Sequence, residues 1–357
     1  YIGAFNNPTQ IKDYVSYTPF LDSLSTKSLI FNNAFANGRK SIHGMSSVLA
    51  GIPSFKDAFT SSPFANQKVE SVVSILNEDG YDTSFFHGAP NGSMGFLGFS
   101  NILGFDHYYG KTEFNNDLLF DGVWGIWDDP FFQYTKKVLD AKTTPFFATI
   151  FTVTSHEPYI VPKEYEGVFP KGNLPMHQCV GYTDYAFKQF FEAAKKEPWF
   201  ENTIFIITAD HTNQIYYKEH YLNPINRYAV PILIYSPNEE YIGVNSELAQ
   251  QIDIYPTILD MVGYDKPFRS WGRSLVDNNE AKMPPYVMNF NGQNYQYSKG
   301  DIICIFDGVK AIGFYDINDL SLETNLIANR TKEMDTVELA CKAFLKDYFD
   351  RIIDRNL

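Results

Sequence analysis

The sequence runs to 357 residues, 44% hydrophobic and 20% charged, a globular composition long enough to bury a core without disulfide staples. Its 29 Lys and Arg face 42 Asp and Glu, a net charge of −13, which repels polyphosphate backbones and excludes general nucleic-acid binding. No run of about 18 apolar residues is present to cross a membrane, no signal-peptide pattern opens the chain, and Cys179, Cys304 and Cys341 form no CxxC pair.

The predicted elements alternate helix and strand. Residues 42–50 suit a helix with Ser41 as its N-cap. Residues 66–78 place Val69, Val72, Val73 and Leu76 at helical spacing, and Asp79-Gly80 stops them. A strand over 81–86 ends at His87-Gly88. A helix over 130–141, with Pro130 in its first turn, leads into an apolar strand over 146–153 that ends at Thr154-Ser155-His156. A helix over 178–196 precedes a strand over 203–208, which ends at Ala209-Asp210-His211. A strand over 230–235 follows, then a helix over 247–261, interrupted at Pro256 and closed by Gly263. From Pro284 the texture changes. Short alternating segments over 286–316, separated by Asn-Gly, Lys-Gly and Asp-Gly, predict antiparallel hairpins, and an amphipathic helix over 334–353 closes the chain.

Helix followed by a short apolar strand, three times over, predicts an α/β fold with a mostly parallel central sheet flanked by helices. The catalytic part is assigned to 1–283 and a small α+β subdomain to 284–357. Ligands in such folds bind beyond the carboxyl ends of the strands. Here those ends carry His87, His156 and Asp210-His211.

Each of these residues has two readings. Asp210 and His211 offer a carboxylate and an imidazole to one cation, or a turn cap beside a surface His. Ser41, after Gly38-Arg39-Lys40, is an activated nucleophile or a plain N-cap. His156 binds an oxyanion or protonates a leaving group, or else holds its loop, and His87 is a weaker case of the same kind. Arg39 and Lys40 are cations beside Ser41. His220, nine residues past His211, is read as a surface His.

The segments GRKSIHGMSSVLAGIP, HGAPNGSMGFLGFSNILGFDHYYG, FTVTSHEPY, IFIITADHT and QQIDIYPTILDMVGYDKPFRSWGRSL follow one another in the order of a known family. Over residues 1–276 the chain resembles the alkaline phosphatase superfamily, its sulfatase-like branch, and within that the lipoteichoic acid synthase and phosphoglycerol transferase group. The resemblance implies one divalent metal ion (manganese, zinc or magnesium) held by Asp210, His211 and Ser41. It implies attack of the Ser41 hydroxylate on phosphorus, with a phosphoryl-Ser41 intermediate. It implies substrate contacts from His156, Arg39 and His87, a lipid-linked or envelope phospho-substrate, and an extracytoplasmic domain tethered to a membrane by upstream segments.

The chain departs from the family in several places. The family's first apolar strand ends in an acidic ligand, and Tyr1-Ile2-Gly3 resembles the text just after it, so the first strand and a further acidic ligand are expected upstream of Tyr1. Met94 and Phe96 stand where the lipoteichoic acid synthases carry Trp and Arg, which disfavours a glycerol phosphate head group. Those synthases also use Thr at the Ser41 position. Ser41-Ile42-His43-Gly44-Met45 lacks the Pro and Arg that formylglycine formation requires, which disfavours sulfatase chemistry. A hydrolase using water as acceptor is the alternative to a transferase. A non-catalytic binding domain is disfavoured by the intact set of Ser41, His156, Asp210 and His211, which are expected to converge at one end of the sheet.

Overall fold

The computed structural model describes residues 1–6, 11, 14–213, 215, 218–277 and 283–357. They form two compact units. The first comprises Tyr1–Ile30, Leu76–Ile207 and Ile232–Asn245; the second comprises Phe31–Ile75, Thr208–Pro231 and Ser246–Leu357. The fold is α/β, with parallel strand pairs and helices in the first unit and an antiparallel C-terminal sheet in the second. Among the described residues no helix is long and apolar enough to cross a membrane.

In the first unit the strand Asp82–His87 pairs in parallel with His107–Tyr109 on one side and Phe146–Phe151 on the other. A second sheet has the spatial order Phe205–Thr208, Ile232–Tyr235, Ser28–Phe31, Gly243–Asn245. The helices Asp128–Asp140 and Pro175–Ala194 turn Phe132, Phe190 and Phe191 into a core shared with Leu21, Leu24, Phe200 and Leu233. Each such ring taken out of water contributes about 2–3 kcal/mol before ordering costs are set against it.

Two strands at sheet edges stand out. Phe146–Phe151 and Phe205–Thr208 each bond a neighbour on one side only, and every residue in both is half-buried despite their apolar sequences. The first is covered on both faces. Phe146, Ala148 and Ile150 pack on Phe131 and Leu139, while Phe147 stacks on Phe105 and Phe151 meets Phe96. Its exposure therefore lies along its edge.

Three elements differ from the sequence reading. The segment after His87, to which the sequence assigns no element, contains the helix Phe96–Leu103, whose buried Phe96, Phe99, Ser100 and Leu103 carry helical spacing that its glycines obscure. The helix expected over 66–78 begins at Val72. Ser71 Oγ accepts the Ser74 N–H at 3.0 Å, and the Glu70 N–H goes to the Leu357 carbonyl at 3.0 Å, so the chain ahead of Ser71 is tied to the C-terminus. The helix expected over 247–261 is confined to Ile254–Met261, because Ala249–Gln250 pairs with Ala34–Phe35 as a strand. Pro256 sits in the first turn of that helix, where a missing N–H leaves nothing unsatisfied, so it starts the helix rather than interrupting it.

The hairpins form as their turns predict. Tyr286–Phe290, Tyr295–Lys299, Ile302–Phe306 and Ala311–Asp316 pair antiparallel in sequence order. Their turns use Gly292, Gly300 and Gly308 at φ of 101°, 57° and 102°, values that side chains resist. The closing helix Lys332–Ile353 is capped by Thr331 Oγ1, which accepts the Met334 N–H. Residues 284–357 belong to the same compact unit as the Ser41 helix.

Candidate active site

The second unit holds Ser41, Asp210 and His211. The helix Ser41–Ala50 begins after Lys40, which has the extended backbone of an N-cap (φ −142°, ψ 150°). Ser41 is therefore the first helical residue and not the cap, a correction to the sequence reading. No side chain caps this helix, and the partly buried Ser41 Oγ makes no hydrogen bond with the described residues. An uncommitted hydroxyl thus sits at the positive end of a helix, beside N–H groups oriented for an anion.

One turn into the helix, Gly44 lies against the Asp210 backbone. A Cβ at Gly44 would stand 2.8 Å from the Asp210 carbonyl oxygen and 2.9 Å from its Cα. Ser41 and Gly44 share a helix face about 5–6 Å apart.

Asp210 and His211 bring a carboxylate and an imidazole side by side. His211 Nδ1 lies 2.7 Å from the Thr212 carbonyl, which only accepts, so Nδ1 carries the proton and Nε2 is free to offer its lone pair. Asp210 Oδ1 accepts the His211 N–H at 2.8 Å, and Oδ2 lies 3.4 Å from His211 Nε2. Two ligand atoms each about 2.1 Å from one ion at a tetrahedral angle are about 3.4 Å apart. The donor set therefore fits a divalent metal. Among the described residues no group of three His, Cys, Asp or Glu side chains gathers to hold an ion.

His43, which the sequence reading passed over, belongs to the same neighbourhood. Its Nδ1 accepts the Arg39 N–H at 3.3 Å, leaving the proton on Nε2. Burial, then the charge of Lys40, lowers its pKa to about 4, so the ring is neutral at pH 7. Behind it lies a buried polar network. Gln251 bonds Asn37, Ala209 and Asp210; Asn37 bonds Gln250 and Ile252; and Asp253 accepts the N–H groups of Gln250 and Arg273. Burial pushes the Asp253 carboxyl up to about 7. The signal for this network was the Gln250-Gln251 pair ahead of an apolar helix, where polar side chains have no solvent to face. His220 accepts from the Asn226 amide at 3.0 Å and is only partly buried.

The first unit holds His87 and His156. His156 is exposed at the tip of the loop after Phe146–Phe151, its ring 4.2 Å from that of Trp124. Buried Asp128 anchors that loop by accepting the N–H groups of Val153 and Thr154 and the hydroxyl of Thr183. Asp121 anchors the Trp124 turn by accepting the N–H groups of Val123, Trp124 and Gly125. His87 is 1% exposed, wedged between Phe96 and Phe151, with Nδ1 on the Phe151 carbonyl at 3.2 Å. As placed it presents no atom to a substrate, and burial lowers its pKa to about 4. Phe96 is likewise core, while Met94 is 41% exposed.

Residues 2–264 match the family model described as Sulfatase. Lipoteichoic acid synthase 1 of Bacillus subtilis is 25% identical over 232 residues, covering 59% of this chain and 36% of its own. Phosphoglycerol transferase I of Escherichia fergusonii is 26% identical over 327 residues, covering 84% of this chain and 41% of its own. The chain thus spans about two fifths of the length of these relatives. The crystal structure of a lipoteichoic acid synthase from Listeria monocytogenes superposes with a TM-score of 0.80 at 18% identity, covering 96% of this chain and 87% of that one, which establishes the fold.

Proposed function

The chain belongs to the sulfatase family of the alkaline phosphatase superfamily, and on that premise we propose that it is a metal-dependent phosphotransferase of the lipoteichoic acid synthase-like group. The observation that carries this reading is the Asp210–His211 pair, spaced for one ion, in the unit where Ser41 offers an uncommitted hydroxyl at a helix N-terminus. Asp210, His211 and Ser41 would hold the ion. Bound there, a divalent ion lowers the pKa of the Ser41 hydroxyl and offsets charge on phosphate oxygens.

Ser41 Oγ attacks phosphorus, the bond from phosphorus to the leaving alcohol breaks, and a phosphoryl-Ser41 ester forms. An acceptor hydroxyl then attacks that ester and frees Ser41. First-turn N–H groups and the Arg39 guanidinium bind the phosphate oxygens, and neutral His43 supplies an Nε2–H donor beside them. His156 contacts the substrate from its exposed loop. His87 acts one step back, by holding the strand end at Phe151. The substrate is a lipid-linked or envelope phospho-compound, which puts the enzyme outside the cytoplasm and tethered to a membrane. The two half-exposed edge strands support a further strand pairing with them, and the additional acidic ligand would ride on its end.

The test uses the full-length protein with Mn2+ and three substrates: phosphatidylglycerol vesicles, a simple phosphodiester and an aryl sulfate. Wild type is expected to turn over a phosphoester only with metal, and mass spectrometry to find phosphate on Ser41. Ser41→Ala is expected to lose at least 1,000-fold in kcat/KM while keeping the wild-type thermal midpoint. Phosphoester turnover retained in Ser41→Ala, or aryl sulfate cleavage alone, reverses the reading.

A further inference from the structure

The chemistry above requires two backbone segments to keep step: the one leading into Ser41 and the strand end that carries Asp210. A single side chain touches both. Gln251 Oε1 accepts the N–H of Asn37, four residues ahead of Ser41, at 3.1 Å. Gln251 Nε2 donates to the carbonyls of Ala209 and Asp210, each at 2.8 Å. The residue is 0% exposed.

A carboxamide carries an acceptor and two donor hydrogens in one plane, and here all three are used. The far end of the clamp is itself fixed. Asn37 Oδ1 accepts the Ile252 N–H at 3.1 Å, and Asn37 Nδ2 donates to Gln250 Oε1 at 2.8 Å and to the Met288 carbonyl at 2.9 Å. Asn37 is 1% exposed, so none of these bonds exchanges readily with water. The Gly44 contact brings helix and strand end together, and the amide fixes how far one slides along the other.

We infer that Gln251 is a positioning residue that sets the separation of Ser41 from Asp210, and through it the affinity for the divalent ion and the rate of the chemical step. The inference rests on the metal reading of Asp210 and His211. Without the amide, two partly buried carbonyls and one buried N–H lose their partners, and the Asp210 backbone shifts to regain them. A displacement of about 1 Å is enough to cost two orders of magnitude in a positioned reaction.

The experiment compares wild type, Gln251→Met and Gln251→Glu in the full-length protein. Methionine keeps the length and removes all three bonds; glutamate keeps the acceptor and loses the donors. Mn2+ binding is read by calorimetry, kcat and KM on a simple phosphodiester, and folding by thermal midpoint. Both variants are expected to raise the Mn2+ dissociation constant at least tenfold and to lower kcat at least tenfold, with KM within threefold. A variant that melts earlier yet binds Mn2+ with the wild-type constant overturns the inference and leaves Gln251 a purely structural role. Should methionine fail to fold, the glutamate variant is judged by the same two constants. Wild type that binds no Mn2+ defeats the metal reading and this inference with it. Wild type that binds Mn2+ but turns over no substrate defeats the transferase reading alone, and the binding constants still decide the role of Gln251.

Discussion

His87 ends one strand and His156 follows the end of its parallel neighbour in the same sheet, and the sequence treats them alike. The structure separates them by burial: His156 is exposed, whereas His87 lies between two phenylalanines with its Nδ1 on a carbonyl. Strand-end position is readable from sequence, but which side of the backbone a ring takes is set by neighbours such as Phe96, whose helix was hidden by glycines. The burial of His87 has a pH consequence. Its folded pKa, about 4, lies below the unfolded value of about 6.5, so the unfolded chain binds the extra proton between those limits. Stability from this group is intact above about pH 6.5 and is lost as pH falls toward 4. In His87→Phe that loss is absent, so urea midpoints at pH 7 and 4.5 should show the variant gaining about 2–3 kcal/mol relative to wild type on acidification. Equal slopes in the two proteins would mean that the imidazole is hydrated in solution.

At the scale of elements, the Ser41–Ala50 helix shows how a glycine serves a site. In an open helix, replacing Gly by Ala gains up to about 1 kcal/mol. At Gly44 the sign reverses, because the added methyl meets the Asp210 backbone inside contact distance and backbone cannot turn aside. Gly44→Ala should cost about 1–3 kcal/mol in denaturation and weaken Mn2+ binding, since relief requires helix and strand end to part. Unchanged values for both would show that the helix shifts freely. Most elements were legible where one periodicity ran unbroken, as in the hairpins over 286–316 and the helix Pro175–Ala194. The start at Val72 and the strand Ala249–Gln250 were not, because each depends on a partner distant in sequence: Leu357 for the segment ahead of Val72, and Ala34 for the strand. The candidate site divides the same way. Asp210, His211 and Ser41 stood out by residue type, while Gln251 and Asn37 did not, because only three dimensions reveal what an amide spans.

Across the whole molecule, the two units differ in how their sheets are closed off. The C-terminal sheet is a meander of short strands linked by tight turns, with the Lys332–Ile353 helix packed on it. The sheets of the first unit end in Phe146–Phe151 and Phe205–Thr208, which carry no lysine, proline or bulge to blunt them. Rows of N–H and C=O groups beside apolar side chains are a template for any extended chain that comes near. A solution of residues 1–357 alone should therefore recruit further copies of itself as concentration rises. Sedimentation of that chain should show larger species at high loading, and Thr149→Lys, which sets a charge on the half-open strand, should suppress them. A monomer at every loading would show that this edge is already shielded. The same open edge thus makes the chain a seed for sticky, disordered assembly, and its shelf life in the tube becomes a reading of how well that edge is covered.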